Sequence, residues 1–197
     1  MSGADESRTE APADAAVVAR VLAGDVEAFA TIVRRYQRQV LALGIRFLRV
    51  REEAEDFAQE VFLQAFRRLG SWRGTGRFYS WLIRIAYTHG SRRARQRYAV
   101  DALGEAAAVD PAPTPEEQAQ REEARQAVLR AMRRLPRRYA DCIGLHFFFG
   151  LSYHEVSEVT QYPLNTVRSH IRRARQALAK ELAPYAAANP EGSHDVP

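Results

Sequence analysis

The sequence predicts an all-α protein: two small helical domains joined by a flexible linker, the C-terminal one a helix-turn-helix. Apolar residues recur at spacings of three and four over most of the chain, which predicts helices. An acidic, proline-containing segment over 99–115 divides them, which predicts a linker. The domains are therefore placed at 14–98 and 116–185. The polar ends, 1–13 and 186–197, are expected to be disordered.

The charge balance favours a polyanionic partner. The net charge is +5 and the sequence pI is about 9.7. Of the 29 lysines and arginines, Lys180 is the single lysine, so arginine supplies almost all the positive charge. Arginine forms bidentate contacts with phosphates and bases and stacks on rings, which lysine does not. A GC-rich genome is the alternative explanation for this bias.

Several classes of function are excluded by what the sequence lacks. Cys142 is the only cysteine, so neither a disulfide framework nor a multi-cysteine zinc site is expected. The five histidines are scattered without ligand spacing, and we expect no metal or other cofactor. No nucleophile–base pair or phosphate loop is present, so we predict no catalytic residues and no enzyme. No apolar run reaches the roughly 20 residues of a membrane span. Because the N-terminus also lacks a signal-peptide core, a cytoplasmic protein without membrane insertion is expected.

The first domain is predicted to contain three long helices. The first begins after a cap at Asp25 and has a continuous apolar stripe. The second covers about 52–69 and the third about 77–97, separated by the glycine-rich loop 70–76. The expected core positions of the first two are Phe29, Ile32, Val33, Tyr36, Val40, Leu43 and Phe47, then Phe57, Ala58, Val61, Phe62, Ala65 and Leu69.

The second of these helices has an unusual outer face. Leu63 is predicted to lie there among Asp56, Gln59, Glu60 and Arg67. A single exposed leucine needs no explanation. A leucine framed by acids, an amide and an arginine is equally typical of a site where a partner helix docks. The periodicity alone does not decide between these interpretations.

The third helix belongs to a stretch rich in arginine and aromatic residues. Residues 67–97 contain nine arginines and no acid. Of the aromatic residues, Trp81 is expected in the core, together with the aliphatic residues Leu82, Ile85 and Ala86. The other aromatic residues of this stretch are expected at the surface: Trp72, Phe78, Tyr79 and Tyr87. Exposed rings beside basic groups favour single-stranded nucleic acid, where each stacked base contributes about 1–3 kcal/mol. RNA binding and duplex-backbone binding remain open.

The second domain is predicted to end in a helix-turn-helix. A helix-start signal over 114–117 opens its first helix, and Ser152 with Glu155 forms a second capping box. A short helix, a turn at "QYP" and a longer helix follow. The long helix buries Val167, Ile171, Ala174, Leu178 and Leu182 and presents Asn165, Thr166, Arg168, Ser169, Arg172, Arg173 and Arg175 on the other side. This pattern fits a DNA major groove, and a hairpin with a solvated basic face is the alternative.

Five blocks in this order resemble the sigma-70 family of bacterial RNA polymerase sigma factors. They are "GDVEAFATIVRRYQ", "EAEDFAQEVFLQAFRRL", "SWRGTGRFYSWLIRIA", "RLPRRYADCIGLHFFFGLSYHEVSEV" and "NTVRSHIRRARQAL". The short, two-domain form resembles the extracytoplasmic-function (ECF) group. The resemblance implies a region 2 domain over 14–98 and a region 4 domain over 116–185, bound to core RNA polymerase and to promoter DNA.

The resemblance also implies a role for each predicted surface. Asp56, Gln59, Glu60 and Leu63 would dock on the clamp helices of the polymerase largest subunit, and region 4 on its flap. The −10 element would be recognised and melted by Arg73, Arg77, Tyr79, Arg84, Thr88 and Arg92. The −35 element would be recognised by Asn165, Thr166, Arg168, Ser169, Arg172 and Arg173. Many relatives are inhibited by an anti-sigma factor, which is therefore an expected partner.

Three departures from the family pattern bear on promoter sequence rather than on domain roles. One is in the −35 helix, where His170 and Arg172 stand at positions that vary widely among relatives. Thr88 stands where the family usually has asparagine, and Gln161 stands where the turn usually has glycine. A one-component helix-turn-helix regulator that is no polymerase subunit is the main alternative. An RNA-binding protein is the second, distinguished by whether promoter DNA is opened.

Overall fold

The protein is described here from a computed structural model, which covers residues 6–98 and 126–187. It separates into two compact units, Met1–Ala108 and Val109–Pro197. Every regular element in the described ranges is a helix, as the sequence predicts. The predicted linker, the helix-start signal over 114–117 and residues 188–197 lie outside the described residues.

Over the described residues 6–98, the first unit contains four α-helices and two short 3₁₀ turns. The helices are α1 (Glu6–Leu22), α2 (Phe29–Leu48), α3 (Arg51–Arg67) and α4 (Phe78–Tyr98). The turns are Val26–Ala28 and Leu69–Ser71. Asp25 caps the first turn by accepting a hydrogen bond of 3.2 Å from the Ala28 amide. The predicted helices α2, α3 and α4 are therefore confirmed.

Helix α1 begins at Glu6, within the segment 1–13 that the sequence predicts to be disordered, and residues 1–5 lie outside the described residues. Of the side chains described over 13–22, those of Val18 and Val21 are buried, together with the carboxylate of Asp14. The apolar signal is weak because alanines and polar residues fill most other positions of the helix. Contacts with Arg35 and Tyr36 on α2 attach α1 to the unit.

The core of the first unit lies between α2, α3 and α4. Ile32, Val40, Phe57, Val61, Leu82 and Ile83 are fully buried there. Helices α2 and α3 approach closely at Gly44: a Cβ at this position would lie 2.7 Å from Phe57 Cδ1 and 3.2 Å from Ala54. Gly90 makes a similar approach between α4 and α2, where a Cβ would lie 2.2 Å from Phe47 Cδ2.

The part of the second unit that the structure describes, residues 126–187, forms four helices. They are α5, described over 126–134, then α6 (Arg137–Phe147), α7 (Tyr153–Thr160) and α8 (Leu164–Ala187). Leu135, Ile143 and Ala174 form a core cluster with Met132 and Leu178 packed against it. Val167 and Ile171 are buried as predicted, and the lone Cys142 is fully buried. Pro136 occupies the N-cap position of α6 and separates this helix from α5.

The helix-turn-helix has the predicted local chemistry. Ser152 and Glu155 form the capping box at the start of α7, with hydrogen bonds of 3.2 Å and 2.8 Å. Gln161 ends α7 in the left-handed conformation, with φ of 61°. Its amide donates to the Ser157 carbonyl at 2.8 Å. The turn thus has glutamine at a position that requires the left-handed backbone conformation, which strains any residue other than glycine.

Candidate nucleic-acid and protein interfaces

The four residues predicted to dock a partner lie on the exposed side of α3. Asp56, Gln59 and Glu60 are exposed, and the Leu63 side chain is 49% exposed. We call these four residues the docking face. An apolar side chain surrounded by hydrogen-bonding groups on one helix face is suited to contact a partner helix. The structure therefore brings the four predicted residues together on an accessible surface.

Glu60 differs from its neighbours because α4 holds its carboxylate. His89 Nε2 lies 2.7 Å from Glu60 Oε2, and Arg93 Nη1 lies 3.5 Å from the same oxygen. The other ring nitrogen of His89, Nδ1, lies 3.0 Å from the Gln64 amide nitrogen. An amide NH₂ group can only donate, so Nδ1 accepts and Nε2 bears the proton that is donated to Glu60.

The basic surface of α4 is a stripe along one side of the helix. Arg84, Thr88 and Arg92 are exposed and follow each other at intervals of four residues, which places them on one face. The Thr88 hydroxyl donates to the Arg84 carbonyl at 2.8 Å. Arg73 is exposed in the preceding loop, and Arg77 is half-buried at its end. We call these five residues the α4 basic face.

The expectation that Phe78 and Tyr79 lie at the surface is wrong. Phe78 is fully buried and Tyr79 is only 8% exposed. The Tyr79 ring stacks on Tyr36 of α2 at 5.3 Å, and the Arg77 guanidinium lies 5.4 Å from the Tyr79 ring centroid. Tyr79 is therefore buried beneath the α4 basic face, where a base could stack on its ring only if the ring moved. Trp72 and Tyr87 are half-buried, so they alone of the four expected rings are partly accessible.

The first turns of α8 present the predicted DNA-reading residues. Asn165, Arg168, Arg172 and Arg173 are exposed, while Thr166 and Ser169 are half-buried. Arg168 Nη1 donates to Asn165 Oδ1 at 3.4 Å. The Ser169 hydroxyl donates to the Thr166 carbonyl at 2.9 Å. We call these six residues the α8 recognition face. Its dense positive charge suits a phosphate backbone, and its polar side chains suit the edges of bases.

Arg173 is oriented by a residue of α6 that the sequence analysis did not identify. Arg173 Nη1 donates to the Tyr139 hydroxyl at 3.2 Å. Hydrogen bonds from Arg173 and Arg138 lower the pKa of the Tyr139 phenol, because both cations stabilise its anionic form. This contact joins residues 34 positions apart, and no local pattern indicates it.

His170 lies on the inner side of the same helix. It is 8% exposed, with the rings of Tyr139 and Tyr162 at 5.0 Å and 5.3 Å. Its Nδ1 lies 3.7 Å from the Cys142 sulfur. Burial lowers the pKa of His170, and the charges of Arg138 and Arg173 lower it further. The neutral imidazole is therefore the form that the folded unit favours.

Comparison with known proteins identifies the family. The model of Sigma-70 region 2 matches residues 32–99, and that of Sigma-70 region 4 matches residues 125–178. The RNA polymerase sigma-H factor of Pseudomonas aeruginosa is 38% identical over 182 residues, which are 87% of this chain and 94% of the relative. The ECF RNA polymerase sigma-E factor of Escherichia coli strain K12 is 36% identical over 182 residues, 87% and 95% of the two chains.

The chain belongs to the ECF group of sigma-70 family sigma factors. The family resemblance drawn from the sequence is thus confirmed. Of the helices described over 6–98 and 126–187 in this sigma factor, none is long and apolar enough to cross a membrane.

Two solved structures share the fold of this sigma factor. CnrH, in complex with the cytosolic domain of CnrY, has a TM-score of 0.63 and 23% identity, over 85% of this chain and 96% of CnrH. The sigma factor RpoE of Bartonella quintana, in complex with the anti-sigma factor NepR, has a TM-score of 0.57 and 21% identity. That match covers 79% of this chain and 96% of RpoE.

Proposed function

We propose that this sigma factor binds core RNA polymerase and directs transcription initiation at promoters with −10 and −35 elements. The observation that best supports this is the division of surfaces between two units. One unit pairs the docking face with the α4 basic face, and the other presents the α8 recognition face. The chain acts by binding rather than by catalysis, and it acts in the cytoplasm, where the polymerase is.

The docking face is proposed to contact the clamp helices of the polymerase largest subunit. Leu63 supplies the apolar contact, and Asp56, Gln59 and Glu60 surround it with hydrogen-bond acceptors and an amide. Such a surface limits binding to partners with matching donors, because unpaired polar groups buried at an interface are costly. Region 4 is proposed to contact the polymerase flap.

The α4 basic face is proposed to bind and melt the −10 element. Its arginines neutralise DNA phosphates, and the free energy of this binding becomes less favourable as the salt concentration rises. The half-buried rings of Trp72 and Tyr87 are available at its margins for an unstacked base. Tyr79 contributes through its ring, over which the Arg77 guanidinium is held.

The α8 recognition face is proposed to bind the −35 element in the major groove. Arg168 and Arg172 are exposed and can reach guanine edges with two hydrogen bonds each. Arg173 is directed by Tyr139, and Ser169 and Thr166 lie close enough to the helix start for phosphate contacts.

An anti-sigma factor is proposed as a further partner. The two solved structures of similar fold are complexes, CnrH with the cytosolic domain of CnrY and RpoE with the anti-sigma factor NepR. An inhibitor that covers either the docking face or the α4 basic face would prevent initiation. Co-purification from non-inducing cells tests this partner, and recovery of the sigma factor alone would count against it.

The triple substitution Asp56→Ala, Gln59→Ala, Glu60→Ala tests the main proposal. Wild type is expected to bind core polymerase and to open promoter DNA taken from upstream of its own gene. The variant should lose both while it still binds duplex DNA. Glu55→Gln is the matched control, because Glu55 is an exposed carboxylate of α3 that pairs within its own helix, with Arg51 at 3.0 Å. If wild type ignores polymerase yet binds DNA, the chain acts as a regulator rather than as a polymerase subunit.

A further inference from the structure

Glu60 is the one member of the docking face whose side chain is bound by another helix of the unit, as far as the described residues show. His89 and Arg93 of α4 both contact its Oε2 atom. The Glu60 side chain nevertheless stays 49% exposed, and Oε1 takes no part in these two contacts. The carboxylate is thus held by one oxygen and offers the other to a partner.

His89 is itself held from three sides by α3. Its Nδ1 accepts from Gln64, its Nε2 donates to Glu60, and its ring lies 5.4 Å from that of the fully buried Phe57. The imidazole has little freedom to turn, because both nitrogens are bonded and one face is packed. A glutamate has three rotatable side-chain bonds, and ordering such a side chain at an interface costs free energy that a preorganised side chain avoids.

We propose that His89 is a positioning residue for polymerase docking. It fixes Glu60 on the docking face before the polymerase arrives, so that the ordering cost is met by folding and not by binding. This inference rests on the proposed function of the docking face. It also makes α4, whose other side is the α4 basic face, part of the scaffold that sets polymerase affinity.

A double-mutant cycle on core-polymerase affinity tests the proposal, using the full-length chain. His89→Ala should weaken binding by about 3- to 10-fold, the range that ordering one long side chain represents. In a Glu60→Ala background the same substitution should change affinity by less than about twofold, because no carboxylate remains to be positioned. An equal loss in both backgrounds would overturn the proposal, as would no loss in the presence of Glu60.

His89→Gln separates positioning from a general structural role. Its amide nitrogen can donate to Glu60 and its carbonyl oxygen can accept from Gln64, so the variant keeps a donor and an acceptor without the ring. We expect affinity within about twofold of wild type even if loss of ring packing lowers the unfolding temperature. If His89→Gln binds as poorly as His89→Ala although it is as stable as wild type, the hydrogen bonds are irrelevant and the proposal fails.

The same data distinguish this inference from the proposed function. If Glu60→Ala leaves affinity unchanged, Glu60 does not dock polymerase and both ideas fail at this residue. If Glu60→Ala weakens binding but His89→Ala does not, the docking face stands and only the positioning role is lost. Glu55→Gln again serves as the control carboxylate.

Discussion

The Asp14 carboxylate of α1 accepts a hydrogen bond from the Tyr36 hydroxyl of α2. Tyr36 in turn stacks on Tyr79, over which the Arg77 guanidinium lies. A continuous series of contacts therefore runs from the N-terminal helix to the start of the α4 basic face. It assigns α1 a structural role in the unit that is proposed to melt DNA.

Removing the Asp14 carboxylate should destabilise the first unit. Asp14 is 1% exposed and also pairs with Arg35, so Asp14→Ala removes the carboxylate that the buried Tyr36 hydroxyl and the partly buried Arg35 guanidinium contact. We expect a loss of about 3 kcal/mol in the free energy of unfolding. Both tryptophans, Trp72 and Trp81, lie in this unit, so denaturant unfolding followed by tryptophan fluorescence measures it specifically.

Tyr36→Phe and Asp56→Ala are the controls for this prediction. Tyr36→Phe removes one of the two hydrogen bonds and should cost about half as much. Asp56 is an exposed aspartate of the same unit, and its loss should leave the unfolding midpoint nearly unchanged. An Asp14→Ala variant as stable as wild type would show that α1 does not depend on this carboxylate.

Gly90→Ala should destabilise the same unit through a steric clash. The added Cβ would lie 2.2 Å from Phe47 Cδ2 and 2.7 Å from Phe47 Cε2, so the ring or the helix must shift. Overpacking of this kind costs about 1–3 kcal/mol. Gly76→Ala is the matched control, since a Cβ there meets nothing within 4 Å. Equal fluorescence-detected midpoints for the two variants would contradict the close α2–α4 contact.

The stability of the second unit should depend on which residue occupies position 161 in the turn of the helix-turn-helix, because residues differ in their backbone preference. Gln161 has φ of 61°, a conformation that β-branched residues strongly disfavour. Gln161→Val should therefore destabilise the second unit by about 1–2 kcal/mol, whereas Gln161→Gly should be at least as stable as wild type. Denaturant unfolding followed by far-ultraviolet circular dichroism reports the difference. A valine variant as stable as the glycine variant would refute the left-handed turn.

His170 should make the stability of the second unit depend on pH. Its pKa in the folded state is below the unfolded value of 6.5, so in that range the unfolded chain binds more protons. The stability is therefore full above about pH 6.5 and falls as the pH is lowered toward the folded-state pKa. His170→Gln should reduce this loss.

The control for the pH prediction is His154→Gln, which alters an exposed histidine of the same unit. Unfolding is measured between about pH 7.5 and about pH 5 for all three proteins. We expect wild type and the His154 variant to lose stability in parallel and the His170 variant to lose less. Three parallel curves would show that His170 does not titrate differently in the folded state.

Much of the fold follows from local sequence signals. The spacing of Phe57, Val61 and Ala65 predicts both α3 and its buried side, and the Ser152–Glu155 box predicts the start of α7. These signals are local because helix hydrogen bonds and caps join residues three or four apart. Leu63 was predicted on an outer face for the same reason, and that prediction is confirmed.

The remainder depends on contacts between distant residues. Tyr79 is expected at the surface because it lies between a glycine-rich loop and an arginine-rich helix, but the site on which it packs is provided by Tyr36, 43 positions earlier. The contacts of His89 could not be predicted from the sequence either, since its partners Glu60 and Gln64 lie 29 and 25 positions away on α3. Tertiary packing decides both cases, and periodicity within one helix contains no information about it.

The complete burial of Cys142 has a practical consequence. Because the single native thiol is inaccessible in the folded second unit, thiol-reactive dyes should leave the folded wild-type protein unmodified. A cysteine introduced at an exposed position of either unit would then be labelled selectively, with the native sequence otherwise intact. Fluorescence energy transfer between a dye in each unit could follow the sigma factor as it meets polymerase and promoter DNA, one molecule at a time.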